Sequence, residues 1–304
     1  MTSYHRDGKV GPWARDKLEC LEKYLNAYTR ILRRRDWCEG YLYVDAFAGA
    51  GRSEVRKAGS VSSAERLSFD ISAFYANDEE ELSYIDGSPR VALEIEHPFT
   101  RYIFIEKNQS RAAQLQNLKQ EYSGRREIDV IPENGSAVLT RLVSDSSVNW
   151  HSQRAVTFLD PFGMQVPWGS LEDLACTGAI EVFLNFPVGT AIQRQLPKSG
   201  KFSDEQREML SQYFGSPEWE DILYVARTDL FGERDVQKVE RSGEQLVRWY
   251  RGRLRKLFGY ASQPHLIRNS QGSHLYYLIF AGPNATGAKI ASDIFLRQGT
   301  KISR

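Results

Sequence analysis

Two short stretches carry residue types that could do chemistry. The first is Tyr41-Leu42-Tyr43-Val44-Asp45-Ala46-Phe47-Ala48-Gly49-Ala50-Gly51. Four strand-forming residues run into an acid and then into a small-residue turn with Gly at alternate positions, the way a parallel strand hands over to a nucleotide-binding loop. Gly reaches positive φ without strain and leaves bare backbone for a ligand to lie against. Gly49 and Gly51 therefore suit a tight turn beneath an adenosyl group, with Asp45, Ala46 and Phe47 on its approach. The third glycine of the dinucleotide pattern G-x-G-x-x-G is missing; Glu54 fills that position, which disfavours NAD or FAD. The second stretch is Asp160-Pro161-Phe162-Gly163. The Asp160 carboxylate and the Pro161 carbonyl can accept hydrogen bonds from an exocyclic NH2, and Phe162 offers a face on which a planar base can stack. Pro161 fixes the local backbone so that the two acceptors converge. A base addressed in this way must be single-stranded or flipped out of its duplex.

Elements of the right kind exist to position these residues. Strand-type runs at 41–44, 101–106, 128–131, 155–159 and 180–184 alternate with helical patterns, which calls for a parallel sheet with right-handed crossovers. Ligands of such sheets sit at the carboxyl ends of the strands, and Asp45, Glu106, Asn134, Asp160 and Asn185 each lie at or just past one. Glu106, followed by Lys107, stands where an acid can accept both ribose hydroxyls. Its distance from the glycine turn exceeds the usual roughly 20 residues, a departure that an insertion over 53–98 explains. Asn134 and Ser136 follow the third strand and are candidates for reading an adenine edge, a plain turn being the alternative. Helices are expected over 14–35 (Leu18, Leu21, Leu25 and Tyr28 inward, Arg33-Arg34-Arg35 at the end), from Ser88 as N-cap through Leu93, and over 110–122, 203–214, 244–258 and 285–297. The 244–258 helix is basic: Val247, Tyr250, Leu254, Leu257 and Phe258 face inward, Arg248, Arg251, Arg255 and Lys256 outward. A hairpin is expected over 262–269 and 273–281.

The chain has 304 residues, 41% hydrophobic and 26% charged, enough for a full core. A formal net charge of +1 gives no global field toward nucleic acid, so such a contact must use a local patch such as 33–35 or the outer face of 244–258. No run of about 18 apolar residues and no secretory segment near Met1 occurs, so a cytoplasmic protein without membrane contact is expected. With no internal repeat, residues 1–304 read as one domain. Its insertions are a surface one at about 53–98, holding the acidic run Asp78-Glu79-Glu80-Glu81, and a substrate-side cap at about 188–243. Cys20, Cys38 and Cys176 are too scattered for a local metal-binding motif and read as buried inert thiols; no metal is expected.

An acid followed by F-A-G-x-G resembles the first motif of class I S-adenosylmethionine (SAM) methyltransferases. D-P-F-G resembles the D/N-P-P-aromatic signature of amino methyltransferases, with the aromatic third rather than fourth, an order more like the tRNA guanine-N2 dimethyltransferases. Gly11-Pro12-Trp13 before a helix with Lys17, the motif through Gly51, Gly87-Ser88-Pro89, Ile105-Glu106-Lys107, Phe158 through Met164 and Leu184-Asn185-Phe186-Pro187 together resemble the three-Cys-motif partner family, TcmP. The resemblance spans most of the chain, and Asp45, Gly49, Gly51, Glu106 and Asp160 fall on matching positions. It implies an α/β, Rossmann-like class I methyltransferase fold: a mostly parallel seven-stranded sheet, a C-terminal antiparallel hairpin and inserted cap segments. It also implies SAM as cofactor and, as partner, a three-cysteine protein that looks like a radical-SAM enzyme. The expected activity is N-methylation of an exocyclic amine on a nucleobase in RNA or DNA. The alternatives are methyl transfer to a small molecule or protein together with that partner, and a non-catalytic interaction subunit that keeps the fold.

Overall fold

Strands rich in Val, Ile, Leu and aromatics on both faces must be covered on both sides, which makes them the centre of a three-layer sandwich. In the computed structural model, which describes residues 12–51, 87–228, 234–268 and 272–302, five such strands lie parallel. They are β1 (Gly40–Asp45), β2 (Arg101–Ile105), β3 (Ile128–Ile131), β4 (Gln153–Leu159) and β5 (Ile180–Phe186). The sheet continues through β10 (His274–Gly282), antiparallel to β5, and β8 (Tyr260–Ala261), in the order β3-β2-β1-β4-β5-β10-β8. An extra short strand, β9 (His265–Arg268), pairs with β10 off this path and completes the expected hairpin. This is the mixed α/β, mostly parallel seven-strand path of a Rossmann-like methyltransferase fold.

Period-two alternation sends successive residues of β1 to opposite layers. Leu42 and Val44 join a core beneath α4 (Gly135–Val143), α5 (Trp168–Cys176) and α8 (Ser242–Phe258). Tyr43 joins the other core, beneath α1 (Pro12–Leu32), α2 (Ser88–Leu93), α3 (Gln109–Glu121) and α9 (Ala285–Ile302). The expected 14–35 helix thus starts earlier, with Pro at its first turn where no N–H is missed. It stops at Leu32, leaving Arg33-Arg34-Arg35 in the turn beyond.

Between β5 and α8 the chain winds through a π-helical turn (Val188–Ile192), then α6 (Asp204–Phe214), α7 (Trp219–Leu223) and a separate antiparallel pair, β6 (Tyr224–Thr228) with β7 (Arg234–Lys238). Ser203 and Gln206 form a reciprocal capping box that fixes the start of α6. The π-turn lies so close to β10 that a Cβ on Gly189 would stand 1.7 Å from the carbonyl oxygen of His274.

Three expectations change. Gly87, in the left-handed region at φ 65°, occupies the N-cap of α2 without a side-chain cap bond, because the Ser88 hydroxyl is turned to Asp45 instead. Only Cys20 is buried; Cys38 is half-buried and Cys176 exposed. Arg251 does not face solvent freely but donates to the carbonyls of Ser262 and Ala261 beside the start of β9. The acidic run 78–81 lies outside the described residues.

Candidate active site at the strand ends

The strand order reverses between β1 and β4, and the carboxyl ends flanking that reversal open the crevice in which doubly wound sheets bind ligands. Asp45 ends β1 there, fully buried. The amide of Phe47 and the hydroxyl of Tyr43 each donate to its carboxylate at 3.3 Å, and Ser88 hydrogen-bonds to it as well. Burial raises the Asp45 carboxyl from its ordinary 3.8 to about 7; the nearby Asp160 charge adds to the rise, while those hydrogen bonds oppose it.

That shift has a stability consequence. A carboxyl that holds its proton more tightly folded than unfolded contributes stability below its unfolded pKa and loses it as pH rises through its folded value. The contribution of Asp45 should therefore fade between about pH 4 and 7. Asp45→Asn is expected to flatten this part of the stability profile. Urea denaturation at pH 5 and pH 8 should show the wild type losing up to about 3 kcal/mol more than the variant. An unchanged slope in Asp45→Asn would contradict the shift.

Beyond Asp45 the chain stays tied to both neighbouring strands. The Ala46 amide donates to Phe158 and the Ala48 amide to Ile105, at 3.2 and 2.9 Å. Gly49 and Gly51 then take φ of 63° and 68°, values open to glycine at little cost. A Cβ at Gly49 would meet nothing within 4 Å, whereas one at Gly51 would stand 3.0 Å from Leu118 on α3. Gly49 is thus the open face of the turn and Gly51 its packed face. Glu106, buried just past β2, accepts from the Gly49 amide at 3.1 Å and the Asn108 amide at 2.7 Å, and pairs with Arg111 at 3.2 Å. A carboxylate has about four lone-pair sites, so acceptor capacity is left over. Lys107 is exposed in the turn that follows.

Asn134 and Ser136 stand where β3 passes into α4 rather than in a plain loop. Asn134 is the N-cap, accepting from the Ala137 amide at 3.2 Å, and the Ser136 hydroxyl donates to the Gln165 carbonyl at 3.1 Å. Between them Gly135 lies directly against the first loop: a Cβ there would sit 2.4 Å from the Ala46 carbonyl oxygen.

Asp160, just past β4, is buried and has both oxygens engaged. Lys17 on α1 donates to one at 2.5 Å and the Asn185 side-chain amide to the other at 2.7 Å. Lys17 is itself 1% exposed. The remaining acceptor of Asn185, Oδ1, is buried without a partner among the described residues. Pro161 is buried, and the half-buried Phe162 ring lies 5.5 Å from the guanidinium of Arg111, the same arginine that pairs with Glu106. Gly163 turns at φ 78°, and a Cβ on it would lie 3.6 Å from Ala191 of the π-turn. The two stretches singled out in the sequence thus meet at the carboxyl end of the sheet, where Asp45 and Asp160 end neighbouring strands close enough for their charges to interact and Arg111 links Glu106 to Phe162.

Sequence reasoning gave Lys17, Arg111 and Ser88 no role in this site. Lys17 left a readable trace: it stands four residues before Leu21, on the apolar stripe of its helix, where an unpaired ammonium would be costly. A separate cleft of about 620 Å³ lies between α5 and α8, lined by Trp168, Trp249, Arg248 and Lys256 among others; it contains none of the strand-end residues.

Among solved structures the chain is similar to protein LPL1258 of Legionella pneumophila str. Philadelphia 1, of the DUF519 family. The TM-score is 0.53 at 15% identity, over 97% of this chain and 93% of that one, a likeness of fold alone. It also aligns with Escherichia coli yhhF, described as a candidate methyltransferase, at 14% identity and a TM-score of 0.29, over 78% of this chain and 88% of that one. No family model and no curated protein matches the sequence. No helix among the described residues is long and apolar enough to cross a membrane.

Proposed function

We propose that the chain is a SAM-dependent methyltransferase that N-methylates an exocyclic amine of a nucleobase in RNA or DNA. The observation that carries this reading is the meeting of the glycine turn with the D-P-F-G corner at the strand-order reversal. The nucleotide fits the residues present: the backbone at Gly49 is bare, Glu106 has lone pairs to spare for ribose hydroxyls, and a buried acceptor on Asn185 lacks a partner among the described residues. SAM, when bound, supplies an electrophilic methyl, so the protein's task is positioning. Holding a nucleophile in near-attack geometry is worth on the order of 7–11 kcal/mol.

Lys17 and Asn185 each hold one oxygen of the Asp160 carboxylate, which anchors the corner and, as at Glu106, leaves lone pairs over for a substrate NH2. Further acceptors open to an NH2 group are the Pro161 carbonyl, which no described donor bonds, and Asn185 Oδ1. Phe162, released from Arg111, gives the base its stacking face. Residues 188–243 act as the substrate-side cap, a role supported by the approach of the π-turn to Gly163. Phosphates of the polymer would meet Arg34, Arg35, Arg248, Arg255 and Lys256, all exposed.

Labelled SAM incubated with total RNA or DNA should transfer its methyl group to one of them. Glu106→Ala is expected to weaken SAM binding at least tenfold by calorimetry, and Phe162→Ala to abolish transfer while leaving SAM binding within a few-fold. Label that reaches neither polymer would overturn the substrate class. The Lys17–Asp160 pair favours one second reading, an interaction subunit that keeps the fold without catalysis, and absent SAM binding would leave that reading alone. Co-purification of a three-cysteine protein would add the partner that the family resemblance implies.

A further inference from the structure

Among the described residues, one cluster of metal-ligating side chains lies outside the strand-end residues described above. Asp16 and Cys20 are four residues apart on α1 and so project from the same helical face. His265, which opens β9, faces them from 249 residues away in sequence, its Nε2 2.8 Å from Asp16 Oδ2. Cys20 Sγ lies 4.0 Å from Asp16 Oδ1, and one ligand atom from each of the three residues falls within 4.8 Å of the others. All three are buried, at 4%, 0% and 7% exposure, and the imidazole stacks on Phe295 of α9, which fixes its ring plane.

We propose that Asp16, Cys20 and His265 bind a zinc ion. Tetrahedral zinc with ligand bonds of about 2.0–2.3 Å sets its ligand atoms about 3.3–3.8 Å apart, so the three side chains need shift by only about 1 Å. A thiolate, an imidazole and a carboxylate suit zinc, whereas magnesium and calcium take oxygen ligands almost alone. The donors balance as well: a thiolate and a carboxylate offset the charge of the ion, and the imidazole binds neutral, so binding releases the Cys20 proton and any second proton on His265. Three protein ligands leave a fourth position for water. Neither the helix nor the strand carries a metal motif by itself, which is why local spacing shows none. The ion would staple α1 to β9 one residue from Lys17, and this holds whether or not the chain transfers methyl groups.

The test uses the full chain, purified without chelator and equilibrated with zinc. About one zinc per chain should survive gel filtration by elemental analysis. Cobalt loading should give the visible bands of a tetrahedral centre together with a near-ultraviolet thiolate-to-cobalt band. Cys20→Ser should remove the thiolate band and weaken zinc binding at least tenfold, since even loss of an outer hydrogen-bond partner costs about 10–100-fold. Cys38→Ser and Cys176→Ser should keep both properties. A folded wild-type chain that retains no zinc, or a thiolate band that persists in Cys20→Ser, would overturn the proposal. If Cys20→Ser fails to fold, wild-type zinc content and a zinc-dependent rise in melting temperature decide the matter.

Discussion

Lys17→Met is expected to destabilise the protein by about 3–5 kcal/mol, the cost of leaving one member of a buried ion pair without its partner. Lys17 and Asp160 are 1% and 8% exposed at their side chains and 2.5 Å apart, so little water reaches the carboxylate that remains. Asn185 would still hold one oxygen of Asp160 at 2.7 Å, which is why the loss falls short of that of a bare buried charge. The double variant Lys17→Met, Asp160→Asn removes both charges and keeps an acceptor for Asn185, and it should recover more than half of the loss. Urea denaturation of the wild type, both single variants and the double variant completes the cycle. A cost below about 1 kcal/mol for Lys17→Met would mean that the pair is solvated, as exposed pairs are. Against a total stability of about 5–15 kcal/mol, the expected loss should also lower soluble yield.

The second large effect belongs to Gly135. Its Cα hydrogen faces the Ala46 carbonyl where a methyl group would stand 2.4 Å from the oxygen, and both partners are backbone that cannot swing aside. Gly135→Ala should push the start of α4 away from the loop after β1, at about 1–3 kcal/mol in stability. If SAM binds as proposed, the same displacement opens the wall between Asn134 and the glycine turn, and SAM affinity is expected to fall at least tenfold by calorimetry. Gly124→Ala is the contrast: its φ of 71° strains an alanine, but a Cβ there meets nothing within 4 Å, so stability should drop while affinity holds. Equal affinity in the two variants would remove α4 from the proposed SAM site.

The sequence showed the sheet well because parallel strands buried on both faces read as mostly apolar runs, and four of the five runs here stop at a polar residue. Val44 to Asp45 and Leu159 to Asp160 are such steps, and both became neighbouring strand ends. Most contacts that convert those ends into a site were hidden because they join residues far apart in the chain. Ser88 reads locally as a helix cap, and only the return of α2 over β1 redirects its hydroxyl to Asp45. Arg111 reads as one polar residue of a surface helix until Glu106 and Phe162 arrive on either side of its guanidinium. Asp16, Cys20 and His265 are the extreme case, since nothing within either segment announces the other.

Helix α1 leaves the ribosome first among the described elements, yet several of its polar partners lie far downstream. Asp16 waits for His265, Tyr24 for Glu181 and Lys23 for Gln298, which follow them by 249, 157 and 275 residues. Part of its apolar stripe stays uncovered until β10 and α9, which pack on it, have been made, a long interval at about 5–20 residues per second. The docking of α1 onto α9 therefore joins the first and the last described helices of the chain, and it can be completed only after the final strands have been made.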